Sequence, residues 1–552
     1  MGNTRIINGE IFKNLLLGGV SNLHSNVQEV NELNVFPIPD GDTGENMYLT
    51  LKGGVDELAR VEADSLCVEA RALAQGMLLN ARGNSGVILS QLFSGLAEGL
   101  EGLETAGLTE FAEALKQGVK CAYGAVAVPV EGTILTVARE AVENATKILR
   151  EDMTAQDFFA IYLEEMKKSL DKTPELLDSL KEAGVIDSGG AGLVYIIEGF
   201  CKVLGGESVE REMAVASVVA SQKSLDFSKF TEDTEMKFGY CTEMLLRLQN
   251  KKTNIAEFSV SDLIAFLDTI GDSIVAFQTG SVVKIHVHTL TPWKVLEYTQ
   301  QFGEYLTVKI ENMTLQHNET VEAKPEKKKR KRARRQYAVV TVASGDGLVQ
   351  TFKDLGADYV VSGGQTNNPS AEDFIEAFDE VNADHIFVLP NNGNIVLSAK
   401  QAASIYKDSD VRVVESKSIG EGYSALSMLD YEVGDADAIV EQMKESIVGV
   451  TTGFVTYAIR TTTVDGVHVE KDDFIGSAKG KMLVSTKSKT ETATSLLDKI
   501  AVGKEFVIAV YGADATEEER AIVAEYAQNL KGVEFYEIDG GQDVYDFLFI
   551  VE

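Results

Sequence analysis

The 552-residue chain has no run approaching about eighteen uninterrupted apolar residues, so a membrane-spanning helix is not expected. Its opening, MGNTRIINGE, lacks a basic stretch leading into an apolar core, and a secretory leader is not expected either. Cysteine is scarce. The four present (Cys67, Cys121, Cys201 and Cys241) are too widely spaced for a disulfide framework, as fits a reducing cytoplasm. Positive charge is also short: 51 Lys and Arg face 85 Asp and Glu, a formal net charge of −34 that repels nucleic acid and anionic membrane over most of the surface. Neither DNA nor RNA is an expected partner. Two familiar phosphate-binding patterns are missing as well, the Walker-type GxxxxGK(S/T) and the kinase glycine loop. What remains is a soluble, globular composition, 44% hydrophobic with mean hydropathy −0.03. The chain is too long for one core, and about three or four domains are expected.

The most informative stretch is Asn34–Met47, NVFPIPDGDTGENM. So much Pro and Gly excludes a helix interior or a central strand and leaves a rigid loop. Gly41 lets the backbone fold tightly enough for Asp40 and Asp42 to face one spot. Two hard oxygen ligands there, with Asn34 and Asn46 on either side, suit Mg²⁺ better than a soft metal. Thr43 is placed to cap a helix starting near Gly44, which sets the metal beside an N-terminus that favours phosphate. A surface turn would also explain DGDTG taken alone.

From Ile7 to about Gly205 the apolar residues recur at helical spacing, predicting about eight helices and almost no strand. The connections between them are glycine-rich. Asn80–Gly86, NARGNSG, opens a helix with Asn84, Ser85 and Gly86 at its start. Pro129–Thr136, PVEGTILT, offers Gly132 and Thr133 at a second entry, and Asp187–Gly192, DSGGAG, offers Asp187, Ser188 and Gly189 at a third. Each alone reads equally as a capped helix–helix connection, and Asp187 as a cap or a ligand. Three of them with a DGD loop in one helical domain point to phosphoryl transfer, which rests on positioning and charge neutralisation.

These residues resemble a known family. NELNVFPIPDGDTGENM is similar to the metal loop of the DhaL-type nucleotide-binding domain of dihydroxyacetone kinases, and its FPIPDGDTG form resembles more closely the ATP-binding subunit of bacterial fatty acid kinase. The resemblance implies an antiparallel helical barrel holding ATP and two Mg²⁺ ions at one end. It implies Asp40 and Asp42 as metal ligands and catalytic residues. Asn34 stands near the place of a third family aspartate, at a spacing longer by one. Thr43, Asn46, Asn84, Ser85, Gly86, Thr133, Asp187, Ser188 and Gly189 are implied nucleotide contacts.

A polar stretch, Glu207–Lys229, follows as a linker. From Lys237 the pattern becomes βαββαβ, predicting a ferredoxin-like α+β domain. Within it KIHVHT places His286 and His288 on one strand face, and Cys241 reaches that face if its strand is a neighbour. A Cys/His/His set fits Zn²⁺, and the fatty acid kinase resemblance implies the same three residues; two solvated histidines and a buried thiol are the plainer account. Lys327–Arg335, KKKRKRARR, has eight basic residues in nine and reads as a solvated interdomain linker. Tyr337–Glu552 alternates apolar strands with helices, the pattern of a parallel sheet covered by helices. It resembles DegV-like fatty acid-binding proteins, with TNNPS at Thr366–Ser370 near a similar loop and NNGN at Asn391–Asn394 in place of a Ser-Gly-Thr headgroup motif. That departure implies a lipid-binding fold without its headgroup site, docking a partner instead.

The expected fold is therefore multidomain: an all-α helical barrel (1–205), a linker (206–236), an α+β ferredoxin-like domain (237–315), a basic linker (316–336) and an α/β DegV-like domain (337–552). The expected function, through the resemblance, is a cytoplasmic kinase subunit using ATP, Mg²⁺ and Zn²⁺. It would phosphorylate a fatty acid held by a separate fatty acid-binding protein, giving acyl phosphate for phospholipid synthesis, with a homodimer as a further possibility. A small polyol kinase of the dihydroxyacetone type and a non-catalytic ATP-binding scaffold are the alternatives.

Overall fold

The computed structural model describes residues 4–33, 38, 41–61, 65–206, 240–255, 258–279, 281–312 and 334–552. The chain divides into two units, Met1–Val219 with Lys331–Glu552, and Ala220–Arg330.

The helical part of the first unit runs α1 (Gly9–Ser25), α2 (Val27–Glu32), α3 (Thr43–Leu58), α4 (Leu66–Leu79), α5 (Gly83–Gly99), α6 (Leu108–Ala125), α7 (Ile134–Ile148), α8 (Ala155–Asp171), α9 (Thr173–Leu176), α10 (Asp178–Ala183) and α11 (Ser188–Leu204). Eight of these helices are long, the number the apolar spacing predicts, and α11 starts at Ser188 because Asp187 caps it. The short α2, α9 and α10 carry too few turns for a periodicity to show. Local signals set the ends. Asn8 Oδ1 accepts from Ile11 N at 3.0 Å to start α1, and Thr154 with Asp157 forms a capping box on α8. The centre is aromatic: Phe159 meets Phe111, Phe158 and Phe200 edge-on at centroid distances of 5.9, 5.4 and 5.6 Å. Helices α1 and α11 cross at glycines, since a Cβ on Gly199 would lie 2.3 Å from the Gly18 carbonyl oxygen.

In the same unit, Arg335–Glu552 forms a four-stranded sheet, a six-stranded sheet and a separate two-stranded hairpin, Thr462–Val464 with Val467–Val469. The first is parallel, in the order Asp410–Val413, Ala383–Leu389, Arg335–Ala343, Tyr359–Ser362. The second runs Lys481–Thr486, Phe474–Ala478, Thr451–Tyr457, Phe547–Val551, Phe506–Tyr511, Glu534–Asp539, and only its last pair is parallel. The expected all-parallel sheet is thus corrected for this half. The cause is local: Lys479 and Gly480 both have positive φ (52° and 71°) and close a two-residue hairpin, so the strands they join must be antiparallel.

Arg334 and Arg335, which end the basic run, pair with Asp384 and Asp358 at 2.6 Å each; the rest of that run, and the linker from Glu207, lie outside the described residues. Residues 363–370 and 390–394 follow the carboxyl ends of two parallel strands, the customary place for functional loops. Both meet the helices: Arg82 forms an isolated antiparallel bridge with Ser370 and donates from its guanidinium to the Asn368 carbonyl at 2.9 Å, while Asn84 Nδ2 donates to Asn394 Oδ1 at 3.3 Å.

The second unit has the order βαββαβ: Tyr240–Leu248, helix Val260–Leu267, Gly271–Thr279, Val282–Thr289, helix Pro292–Gln300, Gly303–Asn312. Its sheet is wholly antiparallel, in the order second, third, first, fourth strand. Alternate residues Met244, Leu246 and Leu248 pack with Val283, Ile285 and Val287 against Leu263, Leu267 and Val295.

Candidate functional site

Four helices of the first unit begin around one cavity of about 260 Å³. Asp42 and Thr43 reach it from the start of α3, with Asn46 one turn on; Asn84 and Ser85 from the start of α5; Thr133 from the entry to α7; Asp187, Ser188 and Gly189 from the entry to α11. Three loops far apart in sequence are thereby brought together with the DGD loop. Ile88, Val126, Val128, Val130, Ile134 and Leu135 make an apolar wall of the same cavity.

Each entry has its own local cause. Gly41 is required for close approach rather than for a turn conformation: a Cβ there would lie 2.4 Å from the Asn31 carbonyl oxygen, so the loop rests directly on α2. Asn31 Oδ1 accepts from Gly44 N at 2.7 Å. The residue in the N-cap position of α3 is Asp42, not Thr43, and its side chain makes no capping bond to the helix. Ser188 Oγ donates to Thr43 Oγ1 at 3.3 Å and ties the third loop to the first. The apolar wall is fixed by Glu131, which accepts from Thr136 Oγ1 (2.6 Å), Tyr123 (3.0 Å) and Arg139 (3.0 Å). Burial alone would push the Glu131 carboxyl up, yet those three donors hold it below the ordinary value.

Asp187 is a half-buried acid of the site. Its carboxylate accepts from Gly190 N at 2.6 Å and also from the Ile134 N–H, capping α11 and α7 together. Burial pushes its pKa up to about 6 even so, because two backbone donors do not replace the lost water. A cap is thus what the geometry shows for Asp187, and its side chain also lines the cavity.

The α/β domain supplies residues that motif reading does not place here. Asn368 Nδ2 donates to Asp42 Oδ2, and Asn394 accepts from Asn84 across the same cavity wall. The TNNPS and NNGN loops face the helix starts in the fold. Nothing in the local sequence signals this, since the paired residues lie 326 and 310 positions apart.

The remaining expected residues divide. Gly86 is not on the cavity wall; a Cβ there would lie 2.4 Å from Thr50 Oγ1, so it serves the approach of α5 to α3. Asn34 and Asp40 lie outside the described residues, as do the side chains of Cys241, His286 and His288. The backbone register does make Cys241 the partner of His288, and Glu243 that of His286.

Among the described residues the cavity wall carries two carboxylates, Asp42 and Asp187, and no Lys, Arg or His. A polyphosphate on this wall would meet backbone N–H groups, hydroxyls and carboxamides, and charge of its own sign. The donor set fits a hard divalent cation: Asp42 offers a carboxylate, and the buried Asn84 Oδ1 has no hydrogen-bond partner among the described residues.

Asp187 gives a pH signature. Its pKa stands above the ordinary 3.8 in the folded chain, so folded protein holds this proton more tightly than unfolded protein, and this group costs stability as pH rises from about 4 to about 6. Asp187→Asn keeps a good cap and removes the charge. Without nucleotide or Mg²⁺, thermal melts are expected to show the variant gaining on the parent between about pH 5 and pH 7.5; an equal gap at both values contradicts the burial.

Residues 37–202 match the DAK2 domain, residues 237–320 the FakA-like middle domain of fatty acid kinase, and residues 338–552 the FakA-like C-terminal domain. Protein YloV of Bacillus subtilis is 39% identical over 557 residues, covering 99% of this chain and all of that one. An uncharacterized protein of Staphylococcus epidermidis is 37% identical, covering 99% of each chain. Among solved structures, the dihydroxyacetone kinase from C. freundii in complex with AMP-PNP and Mg²⁺ is 18% identical, with TM-score 0.29 over 37% of this chain and 35% of that one. Helical DAK2 domain, middle domain and C-terminal α/β region in that order make the chain a member of the FakA-like fatty acid kinase family.

Proposed function

We propose that the chain is the ATP-binding, catalytic subunit of a cytoplasmic fatty acid kinase. It transfers the γ-phosphoryl group of ATP to the carboxylate of a fatty acid held by a separate fatty acid-binding protein, giving acyl phosphate for phospholipid synthesis. A carboxylate oxygen of the acid forms the new bond to phosphorus, the bond from phosphorus to the β,γ-bridging oxygen breaks, and ADP leaves with the electron pair. The observation that carries this reading is the cavity itself: helix starts and hard oxygen donors on one wall, apolar residues on the other, and no basic side chain among the described ones.

Asp40, Asp42 and Asn34 are the residues that would hold Mg²⁺, two ions in all. When bound, Mg²⁺ supplies the positive charge that the wall lacks and neutralises the phosphates. The first turn of α5, at Asn84 and Ser85, presents N–H groups to phosphate, since no side chain caps that helix. Thr43, Asn46, Thr133, Ser188 and Gly189 shape the polar side, Asp187 orders the α7 and α11 entries, and Val126, Val128 and Val130 with Ile88 and Leu135 suit the adenine ring. The helical barrel, the ferredoxin-like middle domain and the DegV-like third domain, with boundaries at 205, 237, 315 and 337, belong to the same reading, as does homodimer assembly.

In the middle domain Cys241, His286 and His288 are proposed to bind Zn²⁺. Directly opposed residues of neighbouring strands share a sheet face, and Cys241 stands opposite His288. Cys241→Ala is expected to lower zinc measured by atomic absorption from about one ion per chain to a small fraction; unchanged content removes Cys241 from the site.

ATP consumption is expected only with Mg²⁺, fatty acid and the binding protein all present. Asp42→Ala is expected to remove at least about 99% of it, because charge-stabilising groups contribute two or more orders of magnitude, while the chain still melts in a cooperative transition, lowered by a few degrees at most because Asn368 loses its acceptor. Turnover without fatty acid, or with a small polyol in its place, contradicts the proposal.

A further inference from the structure

We infer that the nucleotide site is built by two domains, with Asn368 positioning the metal-binding Asp42 and Asn394 positioning the phosphate-facing Asn84. This rests on the proposed Mg²⁺- and ATP-binding role of the cavity.

Asn368 is only 1% exposed, in a loop at the carboxyl end of a parallel strand. A carboxylate only accepts, so the Asn368 atom facing Asp42 Oδ2 is the Nδ2 donor, and the orientation of the carboxamide is fixed. That leaves Asn368 Oδ1 on the other side, buried and, among the described residues, without a hydrogen-bond partner. Asn84 is in the same state: its Nδ2 donates to Asn394 and its Oδ1 is buried without a partner. Two unpartnered carboxamide oxygens beside Asp42 and the start of α5 are out of keeping with an ordinary domain contact, where buried acceptors are paired. Asn84 lines the cavity, and its oxygen fits a site whose remaining partner is a divalent cation or its bound water.

The contact is also held independently of any ligand. Arg82 binds the Asn368 carbonyl at 2.9 Å and lies 3.6 Å from Asp373, while its own backbone bridges Ser370. Pro369 stiffens the loop directly after Asn368. On the second loop Asn394 N donates to Asn392 Oδ1 at 2.8 Å, which fixes the turn that presents the Asn394 side chain to the cavity. Each asparagine therefore acts through a helical-domain residue. Asn368 holds one oxygen of Asp42, and Asn394 turns the Asn84 carboxamide by accepting from its nitrogen.

The test is ADP binding by the full-length chain, titrated by calorimetry at fixed Mg²⁺ and then against Mg²⁺ at fixed ADP. Asn368→Ala and Asn394→Ala are compared with the parent, and melting temperatures are recorded without nucleotide or Mg²⁺. For Asn368→Ala the Mg²⁺ concentration at half-saturation is expected to rise about tenfold, the scale of a lost hydrogen bond to a charged group. Asn394→Ala, on a partly exposed loop, is expected to weaken ADP binding about threefold with an unchanged melt. Parent-like binding and Mg²⁺ dependence in both variants would overturn the shared site and leave the proposed kinase reading standing. Absence of Mg²⁺-dependent ADP binding in the parent itself would overturn both.

Discussion

The molecule is governed by a charge problem: the cavity at which four helices start has a wall with two carboxylates and, among the described residues, no basic side chain. Common phosphate sites place a Lys or Arg against the anion. Here the available positive character is the partial charge at helix starts and whatever divalent cation the oxygen donors hold. Four helices must then begin at one point, and the packing of the domain follows from that demand. Glycines admit the close crossings, at Gly18 against Gly199 and at Gly86 against Thr50. Asp187 ties two of the entries together.

The α/β domain is part of the same solution. Its parallel sheet sends two loops from strand carboxyl ends to the helix starts, as open α/β sheets send loops to ligands. In this chain the loops meet another domain of the same polypeptide: Asn368 meets Asp42, Asn394 meets Asn84, and Arg82 fastens the join. The two asparagine-bearing loops of the α/β domain are thus engaged at the helix starts that border the cavity.

The sequence is most legible where signals are local. The long helices follow from apolar spacing, and NARGNSG, PVEGTILT and DSGGAG stand out because each is a glycine-rich helix entry; the cavity draws residues from all three. The βαββαβ order of the middle unit is legible for the same reason, each strand being long enough to alternate visibly. Asn368 and Asn394 are not legible as site residues, because their meaning depends on contacts more than 300 positions away. The alternation of strands and helices suggests a parallel second sheet, although Lys479-Gly480, with φ of 52° and 71°, closes a tight hairpin between two of its strands. Gly86 resembles a phosphate contact by position, yet its lack of a side chain is used for helix packing.

The most direct measurement of the central claim is ADP affinity by titration calorimetry, in Mg²⁺ and again in EDTA. A wall without cationic side chains predicts binding in Mg²⁺ and a loss of at least about a hundredfold in EDTA, since helix starts alone cannot balance a diphosphate. Equal affinity in both buffers would contradict the account, because the charge would then be met by groups other than those that line this cavity.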